Sequence, residues 1–323
     1  MKNFEYIYPQ NAESIPALLA AEEGQTLLFA GGTDAMMRMK EGLVKPQQLV
    51  NLKGVGELNF IREEKDGLHI GATTLLGDLV ENKAAQKWPG LIEAAESIAT
   101  IQLRNMGTVG GNLCQRPRCW YFRSRHFHCL RKHGDTCFAI YGENKYHAIL
   151  GGDPCYIVHP SDLAPMLIAL GAKVNINGPE GAREIALEDF YVLPEQDVHH
   201  ETVLKPQEVL TEIIVPHQSG KSHYLKFRER QSMDFALISV AVAAKISGKK
   251  LSNVRVAFGG VAPKPWRAKR AEKILEGKIA DKEAVTKAGD AEMANAEPLT
   301  QNEYKVILAK NLLKRAMREL LAG

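Results

Sequence analysis

Cysteine residues are confined to one segment of the sequence, and their thiolates are the groups best suited to metal or redox chemistry. This cysteine segment, residues 114–155, contains all five: Cys114, Cys119, Cys129, Cys137 and Cys155. After the second of them, the intervening residues number nine, seven and seventeen. Zinc ribbons and bacterial ferredoxins instead use paired two-residue spacings. The spacing therefore predicts a four-thiolate site with one spare cysteine and leaves the metal open.

Disulfide bonds and zinc are two other uses for these thiols. An odd number of cysteines, no recognisable export signal and a chain long enough to bury its own core argue against disulfides. Zinc is a stronger alternative, because mixed cysteine and histidine ligands suit a tetrahedral ion. The histidines interleaved with the thiols are His126, His128, His133 and His147.

Cationic side chains crowd the same segment and bear on the state of the thiols. A nearby positive charge favours thiolate over thiol. We therefore expect reactive thiolates here and not inert buried thiols. The cations are Arg116, Arg118, Arg123, Arg125, Arg131 and Lys132.

Overall composition predicts a globular protein of two or three domains, since 45% of the 323 residues are hydrophobic and 24% are charged. A net charge of +3, without a basic run, gives no strong field for nucleic acid or an anionic membrane. No uninterrupted apolar run approaches the roughly 18 residues of a membrane span. We expect no nucleic-acid partner and no membrane span.

A glycine pair follows the first apolar strand of the sequence. Residues 26–30 predict a buried strand and residues 35–40 a helix, and Gly31, Gly32, Thr33 and Asp34 lie between them. Thr33 or Asp34 would cap the helix. Glycines let a ligand approach the backbone, where free amides can bind a pyrophosphate. This loop predicts either a phosphate site or a plain tight turn.

A second glycine-rich loop, residues 107–113, leads directly into the cysteine segment. Two such loops can hold the two ends of an extended dinucleotide. Farther along, Asp162 precedes a short apolar helix. It is predicted to be either the helix cap or a carboxylate that accepts hydroxyl groups from the sugar-alcohol chain of a ligand.

The apolar pattern also suggests where the chain divides. A first α+β unit ends near residue 56, and a second ends at Pro216 after a strand over 209–215. Residues 217–323 form a third unit, with a small sheet and amphipathic helices predicted over 266–275 and 303–321. The apolar side of the last helix, from Val306 to Leu320, would face a core or a partner.

Four motifs occur in the order seen in one known family. They are residues 30–34, 107–113, 159–162 and 234–242. The whole chain resembles the flavin subunits of molybdenum hydroxylases, the xanthine dehydrogenase and carbon monoxide dehydrogenase family. The resemblance implies an α+β fold: a two-lobed FAD-binding domain of the vanillyl-alcohol oxidase type, lobes 1–56 and 57–216, and a small C-terminal sheet-and-helix domain, 217–323.

The cysteine segment resembles an insertion found in only some members, the 4-hydroxybenzoyl-CoA reductases and periplasmic aldehyde oxidoreductases. There it holds a 4Fe-4S cluster, which would replace zinc as the expected metal group. The resemblance implies that Cys119, Cys129, Cys137 and Cys155 are the ligands and that Cys114, on the glycine loop, is the spare thiol.

The resemblance also implies a set of flavin contacts. Backbone amides and not cations would balance the pyrophosphate charge. Asp162 would hold the ribityl chain, and Lys226 would lie near the isoalloxazine ring. The dinucleotide itself would be held by Leu27, Leu28, Phe29, Ala30, Gly31, Gly32, Thr33, Asp34, Thr108, Gly111 and Asn112.

The implied function is electron transfer within a heteromeric molybdenum hydroxylase acting on an aldehyde, a purine or an aromatic acyl-CoA. FAD and the cluster would pass electrons between the partner subunits and an external acceptor or donor, such as a ferredoxin-like protein. A small 2Fe-2S subunit and a large molybdopterin subunit are the expected partners, and the active molybdenum site would lie on the latter. The expected compartment is the cytoplasm, or the periplasm after export with a signal-bearing partner.

Two alternatives stay open. A freestanding FAD oxidase would need a catalytic base near the flavin and has no use for the thiols. A zinc-binding structural or adaptor protein would require both glycine loops to be ordinary turns.

Overall fold

Three β-sheets and the helices packed on them make up the chain, which a computed structural model describes over residues 2–19, 24–248 and 250–322. The strands are β1 (Glu5–Ile7), β2 (Thr26–Phe29), β3 (Gln48–Asn51), β4 (Ile61–Glu63), β5 (Gly67–Gly71), β6 (Lys173–Gly178), β7 (Gly181–Ala186), β8 (Val209–Pro216), β9 (Lys221–Phe227), β10 (Ile238–Ser247), β11 (Lys250–Gly259) and β12 (Trp266–Arg267).

The helices are mostly short outside the C-terminal region. They are α1 (Ile15–Leu18), α2 (Ala35–Lys40), α3 (Leu76–Glu81), α4 (Pro89–Glu96), α5 (Ile101–Arg104), α6 (Val109–Leu113), α7 (Trp120–Arg123), α8 (Leu163–Ala169), α9 (Lys269–Leu275), α10 (Lys282–Met293) and α11 (Tyr304–Ala322). Among the described residues, none of these helices is both long and apolar enough to cross a bilayer.

The first sheet is small and parallel, with the strand order β1-β3-β2. Parallel neighbours cannot be joined by a tight hairpin, so the chain crosses from β2 to β3 through α2. The glycine pair lies where β2 ends and this crossover begins. The first glycine loop is therefore held at the carboxyl edge of the sheet.

The second sheet is antiparallel, with the order β4-β5-β8-β6-β7. Its inner face packs against α4, α6 and α8 in one apolar core that includes Leu68, Ile70, Leu91 and Met166. The helix α6 carries the second glycine loop and contacts both β5 and β8. This core therefore fixes the position of the second loop.

The third sheet, in the order β12-β11-β10-β9, is covered by the three C-terminal helices. On α11, Leu312, Leu313, Ala316, Met317 and Leu320 are buried in its core. The apolar side of this helix therefore faces its own domain, which is one of the two outcomes predicted. Helix α8 packs against β10 and β11 and joins this core to the second sheet.

The cysteine segment runs between α6 and α8 and is anchored to the C-terminal helices. The ammonium of Lys305 on α11 is fully buried and donates to the carbonyl oxygens of Tyr146, His147 and Gly260 at 2.8, 3.0 and 2.8 Å. Asn302 donates to the carbonyl of His147 at 3.0 Å. Burial lowers the pKa of Lys305 to about 7.

The structure corrects two predicted helices. Residues Trp266 and Arg267 do not begin a helix but pair with β11, and the helix starts at Lys269. The helix expected over residues 12–23 is only α1, and residues 20–23 lie outside the described part of the chain.

Strand β7 and helix α10 were not predicted. The buried side of α10 includes Gly289 and Glu292, which weakens its apolar pattern.

His223 joins the second and third sheets and gives a pH-dependent contact. Its Nδ1 lies 3.1 Å from Glu93 Oε1 on α4, and its Nε2 lies 3.0 Å from Glu319 Oε2 on α11. The bond to Glu93, with the one to Glu319, raises the pKa of His223 although burial opposes the shift. The stabilisation is complete below the unfolded-state pKa of about 6.5 and is lost as pH rises through the folded-state pKa.

We therefore expect His223→Gln to lower the melting temperature more at about pH 6 than at about pH 9. Thermal unfolding at both pH values, with the exposed His126→Gln as control, measures the difference. An equal loss at the two pH values would contradict the role given to His223.

Candidate functional site

A cavity of about 660 Å³ opens between the two glycine loops. Its walls come from the first glycine loop, the second glycine loop, the start of the cysteine segment and the loop at residues 233–235. This volume is typical of a site for a cofactor or other organic ligand. We refer to it as the large cavity.

The two glycine loops are in direct contact. A methyl group added at Gly31 would overlap the carbonyl oxygen of Met106, so only glycine permits this approach of the two backbones. Gly32 has a φ of +72°, and the ring of Phe29 packs against it. The second loop is fixed in turn by hydrogen bonds from Leu76 N to Gly107 O and from Val109 N to Thr74 O, both 2.9 Å.

Most residues predicted to contact a dinucleotide line the large cavity. Phe29 and Lys226 are the two exceptions. The ring of Phe29 packs against Gly32, and Lys226 reaches the wall by donating a hydrogen bond to Asp162. The predicted residues that line the cavity are Leu27, Leu28, Ala30, Gly31, Gly32, Thr33, Asp34, Thr108, Gly111, Asn112 and Asp162.

Asp162 occupies the N-cap position of α8, but its side chain makes no capping hydrogen bond. The hydroxyl of Ser161 accepts the amide of Ala164 at 3.0 Å and takes that role. The Asp162 carboxylate instead accepts hydrogen bonds from Tyr224 Oη at 2.8 Å and Lys226 Nζ at 2.7 Å. The side chains of Lys226 and Asp162 are only 4% and 6% exposed, so this is a buried ion pair on the cavity wall.

Asp34 likewise occupies the N-cap position of α2, and its side chain makes no capping hydrogen bond. Its carboxylate pairs with Arg118 Nη1 at 2.9 Å and Arg123 Nη2 at 2.7 Å, and it accepts the amide of Arg116 at 3.2 Å. Burial alone would raise the pKa of Asp34, but the two guanidinium groups outweigh it and hold that pKa below its usual value. The first glycine loop is thus tied to the residues on both sides of Cys119.

Arginine side chains therefore line a site that was expected to rely on backbone amides. Arg38, Arg118 and Arg123 are all part of the wall. The sequence placed Arg118 and Arg123 beside the thiols and gave no signal that they point back to Asp34. Other wall residues outside the predicted set include Thr73, Cys114, Gln115, Met233 and Phe235.

Three polar atoms in the wall of the large cavity are buried without a partner in the described part of the chain: Thr73 Oγ1, Arg118 Nε and Arg123 Nη1. Buried polar groups almost always make a hydrogen bond. A ligand that carries phosphate or hydroxyl groups would supply the missing acceptors. The donor set of this cavity therefore fits a nucleotide cofactor.

A second, much smaller cavity lies within the cysteine segment. Cys119, Cys129, Cys137 and Cys155 all line it, and Cys114 lies instead on the wall of the large cavity. Arg131 and His147 also line this four-cysteine cavity. His147 Nε2 is 3.3 Å from Cys119 Sγ. The four thiols therefore converge as a set that excludes the fifth.

The spacing of these thiols does not suit a single tetrahedral ion. With Zn–S bonds of about 2.3 Å, the sulfur atoms of a zinc site lie roughly 3.8 Å apart. In the described chain, three such ligand atoms lie within 4.8 Å of one another only at Glu64, Asp66 and His69, away from the cysteines.

Burial, more than the nearby cations, sets the pKa of most of these thiols. It raises the pKa of Cys114 and of Cys119 to about 12, and it raises the pKa of Cys129. A hydrogen bond from Cys137, together with Arg131, lowers the pKa of Cys155. The expected effect of the cations is present at Cys155, whereas burial dominates at Cys114, Cys119 and Cys129.

Models of two protein families together match nearly the whole chain. The FAD binding domain in molybdopterin dehydrogenase matches residues 2–218, and the CO dehydrogenase flavoprotein C-terminal domain matches residues 223–320. The sheets of residues 5–51 and 61–216 fall in the first match, and the sheet of residues 221–267 falls almost entirely in the second.

Individual proteins are similar over their full length. The FAD-binding subunit of an aldehyde oxidoreductase of Escherichia coli K12 is 35% identical, with 100% of this chain and 99% of that protein covered. The medium chain of carbon monoxide dehydrogenase from Hydrogenophaga pseudoflava is 30% identical over 97% and 96%. A solved structure of the latter enzyme, lacking the Mo-pyranopterin moiety, matches with a TM-score of 0.79, 31% identity and coverage of 99% and 98%.

The contacts of Asp34 lead to a prediction about stability. We expect Asp34→Asn to reduce the free energy of unfolding by about 2–3 kcal/mol, because it leaves two part-buried guanidinium groups without their counter-charge. Urea unfolding of this variant and of the exposed Asp135→Asn measures the difference. A loss no larger than that of Asp135→Asn would mean that the ion pairs contribute nothing.

Proposed function

This chain belongs to the FAD-binding subunits of the molybdenum hydroxylase family, a family of oxidoreductases, and we propose that it transfers electrons through one FAD and one 4Fe-4S cluster. The electrons pass between a partner that carries molybdenum and 2Fe-2S centres and an external acceptor or donor. The observation that carries the proposal is the adjacency of the large cavity and the four-cysteine cavity, joined by Asp34 and the arginines beside Cys119.

FAD occupies the large cavity in this proposal. The first glycine loop and Thr108, Gly111 and Asn112 hold the dinucleotide. Arg118 and Arg123 supply free N–H groups to its phosphates, in addition to backbone amides. When bound, FAD supplies both one-electron and two-electron transfer. The two-lobed arrangement of the vanillyl-alcohol oxidase type, with lobes at residues 1–56 and 57–216 and a C-terminal domain at 217–323, is part of the same proposal.

Asp162 orients the ribityl chain, and Lys226 acts through it. Lys226 donates to Asp162 and to the carbonyl of Ser97 at 3.1 Å, and it lies behind the cavity wall. This ion pair fixes the position of the Asp162 carboxylate, whose oxygens can accept hydrogen bonds from hydroxyl groups. A direct contact between Lys226 and the isoalloxazine ring is not needed.

The cluster is held by the four thiols that line the small cavity. Four thiolates are the usual ligand set of a 4Fe-4S cluster, and the convergence of Cys119, Cys129, Cys137 and Cys155 supports this assignment. The position of Cys114 on the other cavity supports its role as the spare thiol. Zinc is disfavoured by the spacing of the sulfur atoms.

The partners are a small 2Fe-2S subunit and a large molybdopterin subunit, and the molybdenum site that acts on the organic substrate lies on the latter. Support comes from relatives that are themselves medium chains or FAD-binding subunits. Purification from the native source with flavin, iron, acid-labile sulfide and molybdenum analysis tests the proposal. A chain that oxidises substrate at full rate alone would contradict it.

We expect FAD to be bound without a covalent bond. The large cavity holds one cysteine, Cys114, whose thiol burial keeps protonated, since it raises the pKa to about 12. Acid precipitation of the protein should therefore release all flavin into the supernatant, and Cys114→Ser should behave in the same way. Flavin that stays on the precipitated chain would contradict this expectation.

Single serine substitutions separate the four proposed cluster ligands from the spare cysteine. We expect the native protein to hold about four irons per chain and each ligand variant to lose most of them, because serine is a poor ligand for iron. The matched control is Cys114→Ser, which should keep the cluster. Iron and sulfide content and low-temperature paramagnetic resonance are the measurements.

Two results would count against this assignment. Loss of the cluster in Cys114→Ser, with retention in any one of the other four variants, would show that Cys114 is a ligand and that another cysteine is the spare thiol. A native protein loaded with zinc and free of iron would contradict the cluster itself.

A further inference from the structure

Arg131 carries the one permanent positive charge among the described residues that line the four-cysteine cavity. Its side chain is 1% exposed, which is rare for arginine unless the group is paired. Lys132, the next residue, does not line this cavity and donates to the carbonyls of Tyr121 and Ser124. Arg131 is therefore the cation placed to act on the thiols.

One ion pair fixes the guanidinium of Arg131. Its Nη1 lies 2.6 Å from Glu201 Oε1, and Arg131 lines the same small cavity as Cys155. Its Nε is buried and has no partner in the described part of the chain. The Nε–H group of Arg131, which borders the cavity, is therefore available to a further acceptor.

Glu201 is shared between two arginines. Its second carboxylate oxygen lies 2.6 Å from Arg116 Nε, and Arg116 donates to the carbonyl of His199 at 2.7 Å. Glu201 therefore divides its single negative charge between two guanidinium groups and offsets only part of the charge of Arg131. In a buried position, such a charge is only weakly screened by solvent.

We propose that Arg131 raises the reduction potential of the metal cluster held by the four thiols, through the positive charge of its buried guanidinium, which Glu201 offsets only in part because it also pairs with Arg116. This inference rests on the proposed function, since it takes the cysteine site to hold a 4Fe-4S cluster. Hydrogen bonds to sulfur and nearby charge both set cluster potentials. Arg131 is a positioning and tuning residue and does not itself accept an electron.

The electron balance gives the direction of the effect. One-electron reduction adds one negative charge to the unit of cluster and four thiolates, and no bond is formed or broken. A fixed positive charge and N–H donors stabilise the more negative, reduced state more than the oxidised state. Removing Arg131 must therefore make reduction harder, and removing the opposing charge of Glu201 must make it easier.

The test uses the native complex and a redox titration with a chemical reductant, followed by low-temperature paramagnetic resonance of the cluster. Iron and acid-labile sulfide are measured on every sample. We expect Arg131→Met to shift the midpoint potential to a more negative value. Arg131→Lys, which keeps the positive charge but loses the planar guanidinium group, should shift the midpoint potential less in the same direction. Glu201→Gln should shift it to a more positive value.

Arg125→Met is the matched control, because Arg125 is exposed on the same segment and does not line the cavity. A midpoint in Arg131→Met equal to that of the control, with full iron content, would overturn the inference and leave a merely structural ion pair. If Arg131→Met fails to hold the cluster, Arg131→Lys and Glu201→Gln decide, and unchanged midpoints in both would overturn it. A native protein without iron would instead contradict the proposed function.

Discussion

The carboxylate of Asp34 is the group on which the relation between the two cavities depends. It lies at the end of the first glycine loop, and its partners Arg118 and Arg123 lie on either side of Cys119. The carboxylate stays ionised because of the arginines, and the arginines can be partly buried because of the carboxylate. The glycine loop and the thiol site are therefore parts of one charge-balanced structure and not independent modules.

Local patterns were sufficient to predict the two glycine loops and the elements around them. Strand β2, the glycine pair and α2 follow each other within a few residues, so apolar periodicity and glycine position define them without knowledge of the rest of the fold. The separation of Cys114 from the other thiols also agrees with its position at the end of the second loop, whose helix α6 packs against the second sheet.

Long-range partners could not be predicted in the same way. Asp34 and Arg123 are 89 residues apart, and nothing local distinguishes an arginine that faces a thiol from one that faces a distant carboxylate. For Asp162 the local pattern left a helix cap and a ligand-binding carboxylate both open, because Tyr224 and Lys226, its partners, are brought to it only by the third sheet. The predicted start of a helix at Trp266 was wrong for the same reason, because strand pairing of Trp266 with Phe258 outweighs the local helical pattern.

The hydrogen bonds from Lys305 to the carbonyls of Tyr146 and His147 have a consequence for the order in which the chain folds during synthesis. The carbonyls that it binds come from the middle of the chain, but the ammonium belongs to the last helix. A domain leaving the ribosome folds from its N-terminal end, so these bonds from Lys305 form only after α11 has emerged and docked. The other long-range bonds of this stretch, from Ile149 and Leu150 to the carbonyl of Val261, also wait for the C-terminal domain, so residues 146–150 gain their anchors late in synthesis.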